Sequence, residues 1–240
     1  DEEAQEAGRH KVLFNSTMPS RLGVIPRMGD GESIRWFDFS GAFIYHVINA
    51  WESGDEIVMV ACRYMPARHP DGSFDDARTA KMIARLMMDA RLWEYRMNLV
   101  SGECSERCLD PEHNVEFPSY DAGKTGRYTQ YAYLVDHDPE ILRWSGVCKY
   151  NTESGERLSA WTDDEAHCWY SEPWFAPADD QQREDHGYLV VFVWNDKAKT
   201  QELQVFDAAD LSTGPIARVH MPHRIPPGFH ACWMPSAQIG

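Results

Sequence analysis

An all-β fold is predicted for this chain from three observations. Short runs rich in β-branched and aromatic residues recur along it, turn residues separate them at short intervals, and only one stretch has helical spacing. The runs begin with "IRWFDFS", "GAFIYHVINAWE", "DEIVMVACRY" and "LWEYRMNLV". They continue with "YTQYAYLV", "LRWSGVCKYN", "ERLSAWT", "GYLVVFVWN", "QELQVFDA" and "IARVHMP". Between them, "ESGDE", "VSGEC", "TESGE" and "WNDKAKTQE" read as hairpin connections, because Gly, Asn and Asp accept the backbone angles of tight turns. In "DDARTAKMIARLMMDARLW", Ile83, Leu86, Met87 and Ala90 recur at helical spacing behind an acidic start, which predicts one short helix. Such a chain folds as an antiparallel sandwich, barrel or propeller. No low-complexity linker divides it, so residues 1–240 are expected to form one domain or part of one.

Composition excludes several function classes. With 240 residues and 43% hydrophobic content, the chain can bury a sizeable core and is not disordered. A formal net charge of -15 excludes nucleic acid as the expected partner, since phosphate binding needs clustered Lys and Arg. The six cysteines (Cys62, Cys104, Cys108, Cys148, Cys168 and Cys232) lack zinc spacing and read as free thiols in a reducing compartment. No apolar run approaches the length of a membrane span, and no signal peptide is visible. The expected location is therefore intracellular, in cytoplasm or plastid. The sequence opens on "DEEAQEAGRHK" without Met, so a true N-terminus and any targeting segment are expected upstream.

The ten histidines differ in their surroundings. His10, His69, His113, His137 and His186 lie among charged or turn residues and are expected in solvent. His167 follows an acidic run, and His220 and His223 flank Met-Pro as structural or substrate-side residues. His46 sits inside the apolar, aromatic run "GAFIYHVINAWE". An imidazole that loses water there must be hydrogen-bonded or metal-bound. Glu116 in "NVEFPSY" and Glu172 in "YSEPWFAP" stand beside proline and aromatic residues, where a carboxylate is costly unless it accepts strong hydrogen bonds. The second N–H of a metal-bound imidazole is a donor of that kind. On spacing alone, both glutamates read equally as loop-rim residues. In "IPPGFHACW", Pro226, Pro227 and Gly228 make a turn able to aim His230 at a fixed point.

Several segments, in order, resemble the carotenoid cleavage oxygenase family. They are "RLGVIPR", "FIYHVINAWESGDEIVM", "VEFPSY", "GRYTQYAYLV", "SEPWFAPADDQQREDHGYLVVFVWN" and "ELQVFDAADLSTGPIARVHMPHRIPPGFHACW". The resemblance implies a seven-bladed β-propeller with Fe(II) on its axis, held by four histidines and three outer glutamates. It makes His46 and His230 the third and fourth ligands, with Glu116 holding His46 and Glu172 holding His230. The first two histidines and one glutamate would lie upstream of the matching region, so the chain is expected to be the C-terminal half, roughly four of the blades. "SYDAG" replaces the family's usual Arg-Ile after Glu-Phe-Pro, and Gln130 stands where Arg is common.

The implied activity is oxidative cleavage of a C=C bond in a carotenoid or apocarotenoid by dioxygen, giving two carbonyl products. Two alternatives stand beside it: the same chemistry on a lignostilbene-like alkene, or a non-catalytic propeller acting as an interaction module. Any peripheral membrane contact is expected through the upstream half.

Overall fold

The computed structural model describes residues 6–7, 12–87, 89–138, 141–163, 166–226 and 230–236. His10 and most of the Pro-Pro-Gly-Phe turn before His230 lie outside these residues. The described strands form four antiparallel sheets, none of them closed. A hairpin of β1 (Ser20–Val24) and β2 (Arg35–Phe39) comes first. A meander follows, of β3 (Phe43–Ser53), β4 (Glu56–Tyr64), β5 (Ala90–Asn98) and β6 (Cys104–Asp110). The next meander contains β7 (Val115–Ser119), β8 (Tyr131–His137), β9 (Trp144–Asn151) and β10 (Arg157–Trp161). In the last sheet, β11 (Cys168–Tyr170) and β12 (Trp174–Pro177) pair with opposite ends of β13 (Gly187–Asn195). β14 (Thr200–Asp207) and β15 (Pro215–His220) complete it.

All four connections expected to be hairpins join neighbouring strands: β3 to β4, β5 to β6, β9 to β10 and β13 to β14. Gly155 shows why the turn chemistry is needed. Its φ is +78°, and a Cβ there would lie 2.4 Å from the Leu109 carbonyl oxygen. No L side chain fits that position without moving backbone.

The sheets stack face to face, so their inner strands are buried on both sides. In β8, Ala132 and Leu134 enter a core shared with Val58, Val60 and Cys62 of β4, while Tyr133 and Val135 enter another with Leu189 and Val191 of β13. Met59 and Ala61, on the opposite face of β4, pack with Phe37 and Phe39 of the hairpin. Continuous apolar runs such as "YAYLV" follow from this two-sided burial, since alternate side chains point to opposite faces.

The helix is shorter than its spacing suggests. α1 spans Asp76–Arg85; its N-cap Asp75 accepts a hydrogen bond from the Arg78 N–H, and Leu86 ends it in the left-handed conformation at φ 56°. Ile83 packs on Tyr64, but Ala90 belongs to β5, so helical spacing does not continue past Leu86. Among the described residues, no helix is long and apolar enough to cross a membrane.

Candidate metal centre

Three of the sheets each bring in a site residue on or just after their first strand, at a point where regular pairing is broken. His46 lies on β3 between two register shifts, one between Ile44 and His46 and one between Val47 and Asn49. Glu116 lies on β7 just before a shift in pairing with β8, where Phe117 takes a φ of 48°. Glu172 sits in the break between β11 and β12, with Pro173 beside it lacking an N–H for pairing. Bulges re-aim side chains and end regular pairing, and positive φ in a bulky residue is held only where its surroundings impose it.

These irregularities bring four distant residues together. The His46 Nδ1 lies 2.5 Å from Glu116 Oε2, and the His230 Nδ1 lies 3.2 Å from Glu172 Oε1. Both carboxylates are buried, Glu116 at 3% exposure and Glu172 at 6%, where a charge is costly unless it is hydrogen-bonded. The Phe117 N–H and the Tyr64 hydroxyl also donate to Glu116, and the Ala231 N–H donates to Glu172. The two imidazole centroids are 5.2 Å apart and nearly perpendicular, at 80°. The Phe117 ring lies 5.3 Å from His46 and 5.5 Å from His230.

A carboxylate on Nδ1 fixes the proton there and leaves Nε2 with a lone pair on each ring. Burial works to lower the His46 pKa, but the hydrogen bond and charge of Glu116, with the charge of Glu172, carry it above the ordinary imidazole value. Burial, followed by the charge and hydrogen bond of Glu116, pushes the Tyr64 phenol far upward. A cavity of about 60 Å³ is bordered by both imidazoles, Glu116, Tyr64 and Trp144. Trp144 and His230 also border a larger chamber of about 390 Å³, walled by Trp169, Phe192 and Trp194.

Among the described residues, no group of three or more His, Cys, Asp or Glu is arranged to hold a metal ion. The two imidazoles nonetheless fit a divalent transition metal: both are nitrogen donors with free Nε2 lone pairs and carboxylate-backed Nδ1 protons. His220 stands in solvent with 76% of its side chain exposed, and His223 is exposed as well.

His137 is a correction. It is buried at 7% exposure rather than solvated, and borders the same small cavity. Burial pushes its imidazole below the ordinary value, against the charge of Glu116 and a hydrogen bond to the Leu86 backbone. The signal was present in the strand period: His137 is two residues beyond Val135 and four beyond Tyr133, on the same inward face. Tyr64 had no such signal, because its partner lies 52 positions away.

The fold is of the carotenoid oxygenase type. The crystal structure of a Pseudomonas brassicacearum lignostilbene dioxygenase superposes with a TM-score of 0.80 and 25% identity, over 98% of this chain and 51% of that one. The family described as RPE65, retinal pigment epithelial membrane protein, matches residues 2–235, and the chain belongs to it. A carotenoid 9,10(9',10')-cleavage dioxygenase of Phaseolus vulgaris is 32% identical over 98% of this chain and 45% of its own length. An isoeugenol monooxygenase of Pseudomonas nitroreducens is 26% identical over 93% of this chain and 48% of its own length. The chain thus spans about half the length of the curated relatives it matches.

Proposed function

We propose that this chain is part of a non-haem Fe(II) dioxygenase that cleaves a C=C bond of a carotenoid or apocarotenoid into two carbonyl products. His46 and His230 would be two of the iron ligands, and Glu116 and Glu172 the carboxylates that orient them. The observation carrying this reading is the pairing itself: two imidazoles side by side, each with Nδ1 on a buried carboxylate. Residues 1–240 would form the C-terminal part of a seven-bladed propeller, with the other two histidines supplied from outside this chain.

When bound, iron supplies the activation of dioxygen that protein side chains lack. The chain's own residues do the rest. Glu116 and Glu172 keep each proton on Nδ1 and fix the ring directions. The Phe117 and Trp144 rings, 4.7 Å apart, line the site with apolar surface. The aromatic chamber beside His230 offers an apolar surface to a conjugated chain. Likeness to the lignostilbene dioxygenase structure supports a second substrate class, a phenolic stilbene-like alkene.

The test is incubation of the protein with an apocarotenoid and, separately, a stilbene under ¹⁸O₂. Labelled carbonyl products from one of them, lost in His46→Ala, support the reading. Residues 1–240 alone, short of two ligands, are expected to be inactive; intact substrate in both arms from the iron-loaded full-length protein contradicts the reading.

A further inference from the structure

We propose that Tyr64 is a positioning residue for the metal centre, acting through Glu116 to fix His46; this rests on the reading of His46 as a ligand. Tyr64 ends β4 opposite Phe43 and is buried at 5% exposure. The rings of Phe43 and Tyr45 stand 5.9 and 5.8 Å away and leave the phenol little freedom. Its hydroxyl crosses to β7 and donates to Glu116 Oε1 at 2.9 Å. The other oxygen, Oε2, accepts both the His46 Nδ1 proton at 2.5 Å and the Phe117 N–H at 2.6 Å.

This division of donors matters mechanically. With Oε2 alone engaged, the carboxylate could rotate about its terminal torsion, which has a broad well. A third donor on Oε1 closes that motion and fixes the direction from which Glu116 receives the imidazole proton. Glu172 is held differently. Among the described residues its side chain takes one donor per oxygen, from His230 and from its chain neighbour Ala231. Among the described residues no hydroxyl from another strand donates to it, and its contact with the imidazole is longer, 3.2 Å against 2.5 Å. Glu116 is thus held by donors on both oxygens from three separate groups, one of them the Tyr64 hydroxyl.

The probe is Co²⁺, titrated anaerobically and followed by its d–d absorption. Tyr64→Phe is expected to weaken the apparent Co²⁺ affinity about 10-fold and to alter the d–d bands. Tyr133→Phe removes an equally buried hydroxyl, one bonded to the Ala208 carbonyl, and is expected to change neither. In a Glu116→Gln background, Tyr64→Phe should add little further loss, because the two residues act as one unit. Unchanged affinity and spectrum in Tyr64→Phe, or a full additive loss in the Glu116→Gln background, overturns the proposal. If Tyr64→Phe does not fold, Tyr64→Met, which fills the space without a donor, reads the same quantities. His46→Ala separates the two claims. Undiminished Co²⁺ binding in that variant removes the ligand reading and the role of Tyr64 with it. Lost binding there, together with an unaffected Tyr64→Phe, removes the role of Tyr64 alone.

Discussion

Glu116 and Glu172 carry opposite risks for the molecule. A buried carboxylate costs several kcal/mol unless its lone pairs are met, yet it sets ring orientation better than a neutral group. Replacing either with Gln keeps the shape but removes the charge facing Nδ1–H. We expect Glu116→Gln or Glu172→Gln to reduce metal affinity or turnover by roughly 10–100-fold with the fold intact. Metal titration alongside circular dichroism checks this, and unchanged affinity in both variants would contradict it.

Asp110 is another buried acid, at 7% exposure. Burial favours its neutral form, but hydrogen bonds from the Tyr150 hydroxyl, the Glu112 N–H and the His113 ring and N–H hold its carboxyl below the usual range. A depressed folded pKa means this stabilisation is complete above the unfolded value and fades as pH falls through the folded one. The difference in melting temperature between wild type and Asp110→Asn is therefore expected to be largest near neutrality and to shrink below about pH 4. A difference that is constant with pH would refute the assignment.

At the scale of elements, β3 and β7 depart from regular pairing at their site residues and the last sheet breaks at Glu172, while the β4–β5 and β13–β14 pairings run without a shift. Turn chemistry fixes the register of those regular strands. Gly155→Ala, forced to a φ of +78° against the Leu109 carbonyl, is expected to cost about 2 kcal/mol or more, measured by denaturant unfolding. A loss below about 0.5 kcal/mol would show that the β9–β10 turn relaxes freely.

The regular parts were legible in the sequence for the same reason. Gly and Asn mark the hairpins, and double-sided burial writes continuous apolar runs such as those of β4 and β8. The irregular parts were not. "VEFPS" gives β7 too short a run to separate from a loop, and the break around Glu172 hides β11 and β12 as three- and four-residue strands. His46, His230, Glu116 and Glu172 were identified through their apolar neighbours and a family resemblance, and their convergence is a property of the stacked sheets. Tyr64 was invisible because the geometry joining β4 to β7 is tertiary. Helical spacing past Leu86 misled, since Ala90 meets the same apolar neighbours from a strand.

At the scale of the molecule, the last sheet ends on β15, which pairs with β14 and exposes Ile216 at 58% and Val219 at 48%. An edge of this kind is a template for another strand. We expect this chain, on its own, to self-associate at micromolar concentration, and Val219→Lys to reduce the effect in light scattering. A strictly monomeric wild-type chain would contradict this. The same stacking of sheets creates the site, since His46, Glu116 and Glu172 enter from three different sheets and His230 from the chain that follows the last of them.

Metal analysis of anaerobically purified full-length protein tests whether His46 and His230 share one iron. The full-length protein is expected to hold about one iron, and residues 1–240 alone at best weakly bound, exchangeable iron, with full occupancy lost in a His46→Ala, His230→Ala double variant that still folds. Equal iron content in the wild type and the folded double variant would contradict it.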